Sequence, residues 1–115
     1  MDDRKELSQM CDMRGMLSFM ILWLLSRKPM YGQELATEIE KRRGEKPNPG
    51  TIYPALKDLT NRGLISGRLI GRNTVYELTA TGKTSLASAL EYFEKAFGEI
   101  FRTAPKVRKK IQATK

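Results

Sequence analysis

The sequence predicts a mainly α-helical domain with a two-stranded β-hairpin and a closing helix. Three observations support this fold class: apolar residues recur at helical spacing in four segments, β-branched and aromatic residues flank a Gly-Arg-Asn turn, and the last segment keeps a heptad pattern. With 115 residues, the chain has room for one domain and a core of moderate size.

The first two predicted helices form the apolar base of the domain. The first runs from Leu7 or Cys11 to Ser26 and is apolar on most faces, which predicts burial on most faces. It ends before Pro29, because a proline disfavours the helical conformation of the residue before it. The second runs from Tyr31 or Gly32 to Arg43 and has a narrow apolar stripe.

The third predicted helix lies in the segment PNPGTIYPALKDLTNRGLI, residues 47–65. Its apolar residues occur at i, i+3, i+4 and i+7, which gives one buried face and leaves the opposite face free. We place its start at Gly50 or Thr51, because Pro54 then lies in or near the first turn, where its missing N–H matters least. Gly63 ends the helix.

The hydrophobic period changes after the third helix. From about Ser66 to Thr79, β-branched and aromatic residues surround Gly71-Arg72-Asn73, which predicts a hairpin. The last helix runs from Thr79 or Thr81 to about Phe101, and Pro105 is expected to end it. We therefore divide the chain into a domain of residues 1–79, a helix of residues 80–102 and a basic, disordered tail of residues 103–115.

The order of three helices, a hairpin and a further helix is that of a winged helix-turn-helix. In that fold the third helix enters the major groove of double-stranded DNA, and the hairpin, called the wing, lies along the neighbouring backbone. A helix start with free N–H groups and a short basic hairpin both suit phosphate contact. The candidate DNA-binding residues are Asn48, Gly50, Thr51, Tyr53, Pro54, Lys57 and Asn61 in the third helix and its start, and Arg68, Arg72 and Asn73 in the wing.

The closing helix carries five large apolar residues at alternating spacings of four and three. A small domain has no obvious place to bury all of them, although burying each one stabilises by roughly 1.5–3 kcal/mol. We therefore predict a homodimer interface, and a helix folded wholly onto its own domain is the alternative. The dimerisation residues are Leu86, Leu90, Phe93, Phe97 and Ile100.

The charge balance favours an acidic partner, with DNA before a membrane surface. The net charge is +8, but six basic residues and no acidic ones lie between Arg102 and Lys115, so the rest of the chain is nearly balanced. The chain has no histidine, one cysteine and no phosphate-cradling glycine motif, which argues against an enzyme, a cofactor or a metal. The apolar stretch from Gly15 to Leu25 is shorter than the roughly 20 residues that span a bilayer, and it does not have the pattern of a signal peptide, so we predict a cytoplasmic location and no membrane partner.

Three stretches of the chain resemble the PadR family of bacterial and archaeal transcriptional regulators. They are MLSFMILWLLSRKPMYGQELA (16–36), GTIYPALKDLTNRGLI (50–65) and VYELTATGKTSLASAL (75–90). The resemblance implies a winged-helix domain whose last helix is a dimerisation arm, acting mostly as a repressor at a two-fold symmetric operator. It maps the base-reading helix onto residues 50–61 and the wing onto residues 68–74, and the single closing helix resembles the short PadR subgroup.

One departure from that family concerns the effector. Some short members line a drug-binding pore with a tryptophan of the last helix, whereas this last helix has phenylalanines and the only tryptophan is Trp23 in the first helix. This departure argues against the drug sensing of those members. Core packing is the favoured interpretation of Trp23, and contact with a small-molecule effector is the alternative. Two other functions stay open: a winged-helix subunit that binds another protein, and a non-specific, chromatin-like DNA binder.

Overall fold

Residues 13–113, which the computed structural model describes, form four helices and three strands, and the helices and the hairpin follow the predicted order. The start of the first helix, predicted at Leu7 or Cys11, lies outside these residues. The elements are α1 (Met13–Arg27), β1 (Met30–Tyr31), α2 (Gly32–Arg43), α3 (Pro49–Asn61), β2 (Ile65–Ile70), β3 (Asn73–Leu78) and α4 (Ala80–Ala113).

One hydrophobic core joins the first three helices to the sheet and to the start of α4. Helix α1 buries most of its side chains between Leu17 and Leu25, as its apolar faces predict. Helices α2 and α3 each bury one stripe and leave the other side exposed. The core side chains that are almost inaccessible are Leu17, Ile21, Leu24, Leu35, Ile39, Leu56, Leu59 and Ile65.

The sheet has three strands in the order β1-β3-β2, so the prediction of two strands is wrong by one. Strand β1 is two residues long and pairs with β3 through Met30 opposite Tyr76 and Tyr31 opposite Val75. Two residues are too few to show a period in the sequence, and only the approach of β3 makes them a strand. The wing itself, β2 paired antiparallel with β3, agrees with the prediction, and Gly71 has a left-handed φ of 64° at its turn.

Helix α3 begins one residue earlier than predicted, at Pro49, with Asn48 as its N-cap. A proline at the first helical position is favourable because its missing N–H has no helical acceptor there. Pro54 consequently lies in the second turn rather than the first. It removes the bond that would reach the Gly50 carbonyl, but Gly50 is exposed, so water can reach that oxygen.

Helix α4 continues to Ala113, so the prediction that Pro105 ends it is wrong. The predicted disorder of residues 103–115 is therefore wrong for residues 103–113, and the last two residues lie outside the described part. Pro105 costs one hydrogen bond at an exposed stretch, where the Phe101 carbonyl can be hydrated, and residues that favour helix flank it on both sides. At roughly 1.5 Å per residue, the 34 residues of α4 make an arm of about 50 Å.

A tight junction connects this arm to the end of α3 and the start of the wing. The Thr79 hydroxyl donates to the Gly63 carbonyl at 2.6 Å and accepts from the Gly82 N–H at 3.0 Å. The Thr79 N–H donates to the Leu64 carbonyl at 3.1 Å. Gly82 is buried, and a Cβ at this position would overlap the Leu64 carbonyl oxygen. The close backbone approach therefore depends on a glycine.

We predict that Gly82→Ala lowers the free energy of unfolding by about 3 kcal/mol or more, because the new methyl group meets backbone that cannot move aside. Gly98→Ala, the same change in the same helix, is the control. A Cβ there meets the flexible end of the Arg102 side chain, at 3.0 Å from Nη1, and Cγ of Glu94 at 4.0 Å, so it should leave stability unchanged or raise it by about 0.5–1 kcal/mol. Urea titration measures both, and equal midpoints would contradict the junction.

Candidate DNA interface

The side of α3 opposite the core is available to a partner. Ile52, Leu56 and Leu59 are buried, and residues between them on the helical wheel point outward. Tyr53 is 47% exposed. The other predicted contacts on the helix are exposed or, for Thr51, half-buried; they are Thr51, Pro54, Lys57 and Asn61.

The start of α3 offers fewer free N–H groups than the sequence suggests. Asn48 is the N-cap, but its side chain accepts no backbone hydrogen bond; its Oδ1 accepts from the Thr51 hydroxyl at 3.2 Å. The N–H groups of Thr51 and Ile52 donate to the Asn48 carbonyl at 2.9 and 3.1 Å. Pro49 has no N–H, so the first-turn donor left for a phosphate is that of Gly50.

The wing presents its polar predicted residues to solvent. Arg68, in β2, and Arg72 and Asn73, at the turn, are all exposed. Among residues 13–113, neither Arg68, Arg72 nor Lys57 of α3 forms a salt bridge. These three cations therefore meet no internal competition for a phosphate.

A groove separates α3 from the wing and brings the two predicted surfaces together. Tyr53 forms one wall, and Arg72, Asn73 and Tyr76 form the other. The end of β1 and the start of α2 also line this groove, through Tyr31, Gly32, Gln33 and Glu34. Sequence reasoning missed Tyr76, whose position follows from the β-pairing register, and Gln33, for which periodicity carries no signal.

Some other basic residues of the domain are already paired with carboxylates. Lys41 and Arg42 both bind the Glu38 carboxylate, at 2.9 and 3.1 Å. These hydrogen bonds, to Lys41 first and then to Arg42, lower the pKa of Glu38. Asp58, on the outer side of α3, pairs with Arg62 at 3.4 Å, which reduces its repulsion of a phosphate. The end of α2 is thus less suited to phosphate contact than the wing.

Trp23 is half-buried and packs against the core. The guanidinium of Arg42 lies 5.0 Å from its ring centroid, and that of Arg27 lies at 5.4 Å. Cation–π contact of this kind orders the ring and both arginines. Its use as an effector contact stays a prediction.

The predicted dimerisation residues fall into two groups. Leu86 belongs to the core, and Phe93 is half-buried with its ring 4.8 Å from that of Phe19. Leu90, Phe97 and Ile100 are 44%, 37% and 57% exposed on the same side of α4. The exposed three form an apolar surface that the protomer itself does not cover.

This apolar side extends beyond the predicted end of the helix. The alternating spacing continues through Ala104, Val107 and Ile111, of which the last two are 50% and 58% exposed. The spacing was visible in the sequence, but the expected break at Pro105 concealed it. We call the whole row, from Leu86 to Ile111, the α4 seam.

Residues 13–113 contain neither a metal-binding cluster nor a membrane-spanning helix. No group of three or more metal-ligating side chains occurs within residues 13–113. None of the four helices found there is long and apolar enough to cross a membrane.

Residues 21–88, more than half of the chain, match the transcriptional regulator PadR-like family. The chain belongs to this family. PadR-like proteins are DNA-binding regulators of transcription. No curated protein matches the sequence.

Solved structures agree with the family assignment. RosR of H. salinarum is 30% identical with a TM-score of 0.66, and the match covers 84% of this chain and 93% of that one. A PadR-like transcription factor from Bacteroides fragilis is 28% identical with a TM-score of 0.66, covering 92% of this chain and 99% of that one. A transcriptional regulator from Thermoplasma acidophilum is 28% identical with a TM-score of 0.69, covering 81% and 94%.

The position of Tyr76 in the groove predicts how its phenol responds to pH. Burial first, and then the neighbouring Tyr53, raises the pKa of Tyr76 above its ordinary 10.0. The neutral phenol is the favoured form, so its contribution to stability is present below pH 10.0 and is lost as the pH rises through the folded pKa. We expect the difference in phenolate absorbance between the wild type and Tyr76→Phe to have a midpoint above pH 10.0. A midpoint at or below that value would contradict the packing of the groove.

Proposed function

We propose that this PadR-like protein is a homodimeric repressor, acting in the cytoplasm, that binds a palindromic operator in double-stranded DNA. In this proposal α3 enters the major groove and the wing follows the adjacent backbone. The observation that carries it is the exposed outer side of α3 beside a wing whose cations are unpaired. A two-fold symmetric operator would match the symmetry of the dimer.

The candidate residues divide into two proposed roles. Lys57, Arg68 and Arg72 are cations without internal partners, and the Gly50 N–H and Tyr53 hydroxyl are donors at the same surface, so they suit phosphate contact. The outward face of α3 lies among these phosphate contacts. It suits base contact because it points away from the core along the whole helix. The proposed base-reading residues are Thr51, Pro54 and Asn61, with Asn48 and Asn73 at the two margins.

The α4 seam is the proposed dimer interface. From Leu90 onward it exposes large apolar side chains along one side of the helix, and burying such a side is the usual reason for two helices to pair. The charges beside the seam favour an antiparallel pair. Residues 91–99 carry three glutamates and one lysine, whereas residues 102–110 carry five basic residues and no acidic ones, so like ends repel and unlike ends attract.

Two other functions would use the same surfaces differently. A protein-interaction subunit would cover the seam with a different protein, and a chromatin-like binder would use the cations without reading bases. Purification of the chain alone tests the first alternative, because a homodimeric regulator is a soluble dimer without any other protein. A footprint separates the second, because a non-specific binder shows no preferred site.

We predict that the protein shifts DNA from its own upstream region in preference to random competitor, and that the affinity falls steeply with salt. Tyr53→Ala and Lys57→Ala should each weaken binding by about threefold to tenfold, the value of one lost hydrogen bond, without unfolding the protein. Lys57→Ala should also reduce the salt slope by about 1.

Lys95→Ala is the control for these variants. This lysine lies on α4, pairs with Glu91 at 3.1 Å and is remote from the proposed interface, so its replacement should leave the DNA affinity unchanged. Unchanged binding by both Tyr53→Ala and Lys57→Ala would remove those residues from the interface. Equal affinity for random competitor would rule out a sequence-specific regulator.

We also predict that Leu90→Glu combined with Phe97→Glu yields monomers in light scattering, because two charges would have to be buried in each half of the interface. Val107→Glu with Ile111→Glu should weaken the dimer if the seam is used along its full length. Leu69→Glu is the control, since Leu69 is 71% exposed on the wing and lies outside the seam. A persistent dimer in both seam variants would place the interface elsewhere.

A further inference from the structure

The backbone conformation at Gly32 does not require a glycine. Among the described residues, the glycines with left-handed φ values are Gly44, Gly63 and Gly71, so Gly32 has a conformation that other residues adopt readily. It is the first residue of α2 and is buried. At a helix start alanine would restrict the unfolded chain more than glycine does, so helix stability alone gives no reason for a glycine here.

The reason for the glycine lies across the groove, in α3. A Cβ at position 32 would lie 3.2 Å from Cε1, 3.5 Å from Oη and 3.7 Å from Cζ of Tyr53. The edge of the tyrosine ring and its hydroxyl therefore rest on the space that a side chain at position 32 would fill. The first distance is shorter than an ordinary van der Waals contact, so even a methyl group would displace the ring by a few tenths of an ångström.

The placement of Tyr53 matters because the ring forms a wall of the groove. Arg72, Asn73 and Tyr76 of the wing line the same groove from the other side. Tyr53 keeps nearly half of its surface exposed although one edge of its ring is held against α2. One edge of its ring and its hydroxyl thus lie beside the start of α2, at the groove between α3 and the wing.

We infer that Gly32 is a positioning residue: its missing side chain seats the Tyr53 ring and directs the hydroxyl into the groove that receives the DNA backbone. This inference rests on the proposed function and adds a residue that makes no DNA contact itself. The two segments meet only in the folded chain, since 21 positions separate them. Gly32 acts on DNA binding through Tyr53 alone, so the effect of replacing Gly32 should disappear when Tyr53 is replaced.

A double-mutant cycle tests this role on the full-length dimer with the operator DNA that the wild type protects. The four proteins are the wild type, Gly32→Ala, Tyr53→Ala and the double variant. Gly32→Ala should weaken operator binding by about threefold to tenfold in the wild-type background, the value of one misplaced hydrogen bond. In the Tyr53→Ala background the same change should have no effect, because the ring that it displaces is gone. Gly98→Ala, a glycine far from the groove, is the matched control and should leave binding unchanged.

Each other outcome overturns the inference. An equal loss of operator affinity in both backgrounds would mean that Gly32 acts independently of Tyr53. No loss of affinity in the wild-type background would mean that the position of the Tyr53 ring does not depend on Gly32. If Gly32→Ala lowers the melting temperature, the melting temperature of the double variant is the deciding measurement. The double variant must then recover that temperature, because the close contact is absent, and failure to recover it counts against the inference.

The same titrations distinguish the failure of this inference from that of the proposed function. If the wild type itself shows no preference for its operator, the proposed function fails, and the positioning role fails with it. If the wild type binds specifically but the cycle shows no coupling between Gly32 and Tyr53, only the positioning role is lost.

Discussion

The burial of one side of α3 determines where the functional surface lies. Ile52, Leu56 and Leu59 are each at most 2% exposed, so the helix cannot rotate about its axis without bringing large apolar side chains into water. Because residues three and four apart share a face, the same constraint turns Tyr53 and Lys57 outward. The hydrophobic core and the proposed DNA interface are therefore two consequences of one packing arrangement.

The junction at Thr79 extends this constraint from α3 to α4. One hydroxyl contacts both the Gly63 carbonyl, just after α3, and the Gly82 N–H, in the first turn of α4. The tight approach of Gly82 to Leu64 allows little change in the angle between α3 and α4. In a dimer built on the α4 seam, the distance between the two α3 helices would depend on this junction, which is how a small domain can match the spacing of two half-sites.

The electrostatic properties of the surface depend on which cations are paired, more than on how many there are. Lys41 and Arg42 share the Glu38 carboxylate, and both arginines next to Trp23 contact its ring. Exposed pairs of this kind contribute little to stability, but they occupy charges that would otherwise attract phosphate. Among the described residues, Lys57 of α3 and Arg68 and Arg72 of the wing form no salt bridge, so both elements of the proposed interface carry positive charge that is free to attract phosphate.

The sequence by itself determined the helices, the wing and the outward stripe of α3, because each depends on periodicity and on glycine and proline signals that act within a few residues. It also determined the spacing of the α4 seam, although the cost of Pro105 was overestimated where solvent can hydrate the lost carbonyl. The tertiary structure alone decided the strand at Met30, the overlap at Gly82 and the contact between Gly32 and Tyr53. Each of these brings together segments far apart in the chain, and no local pattern records a distance between them.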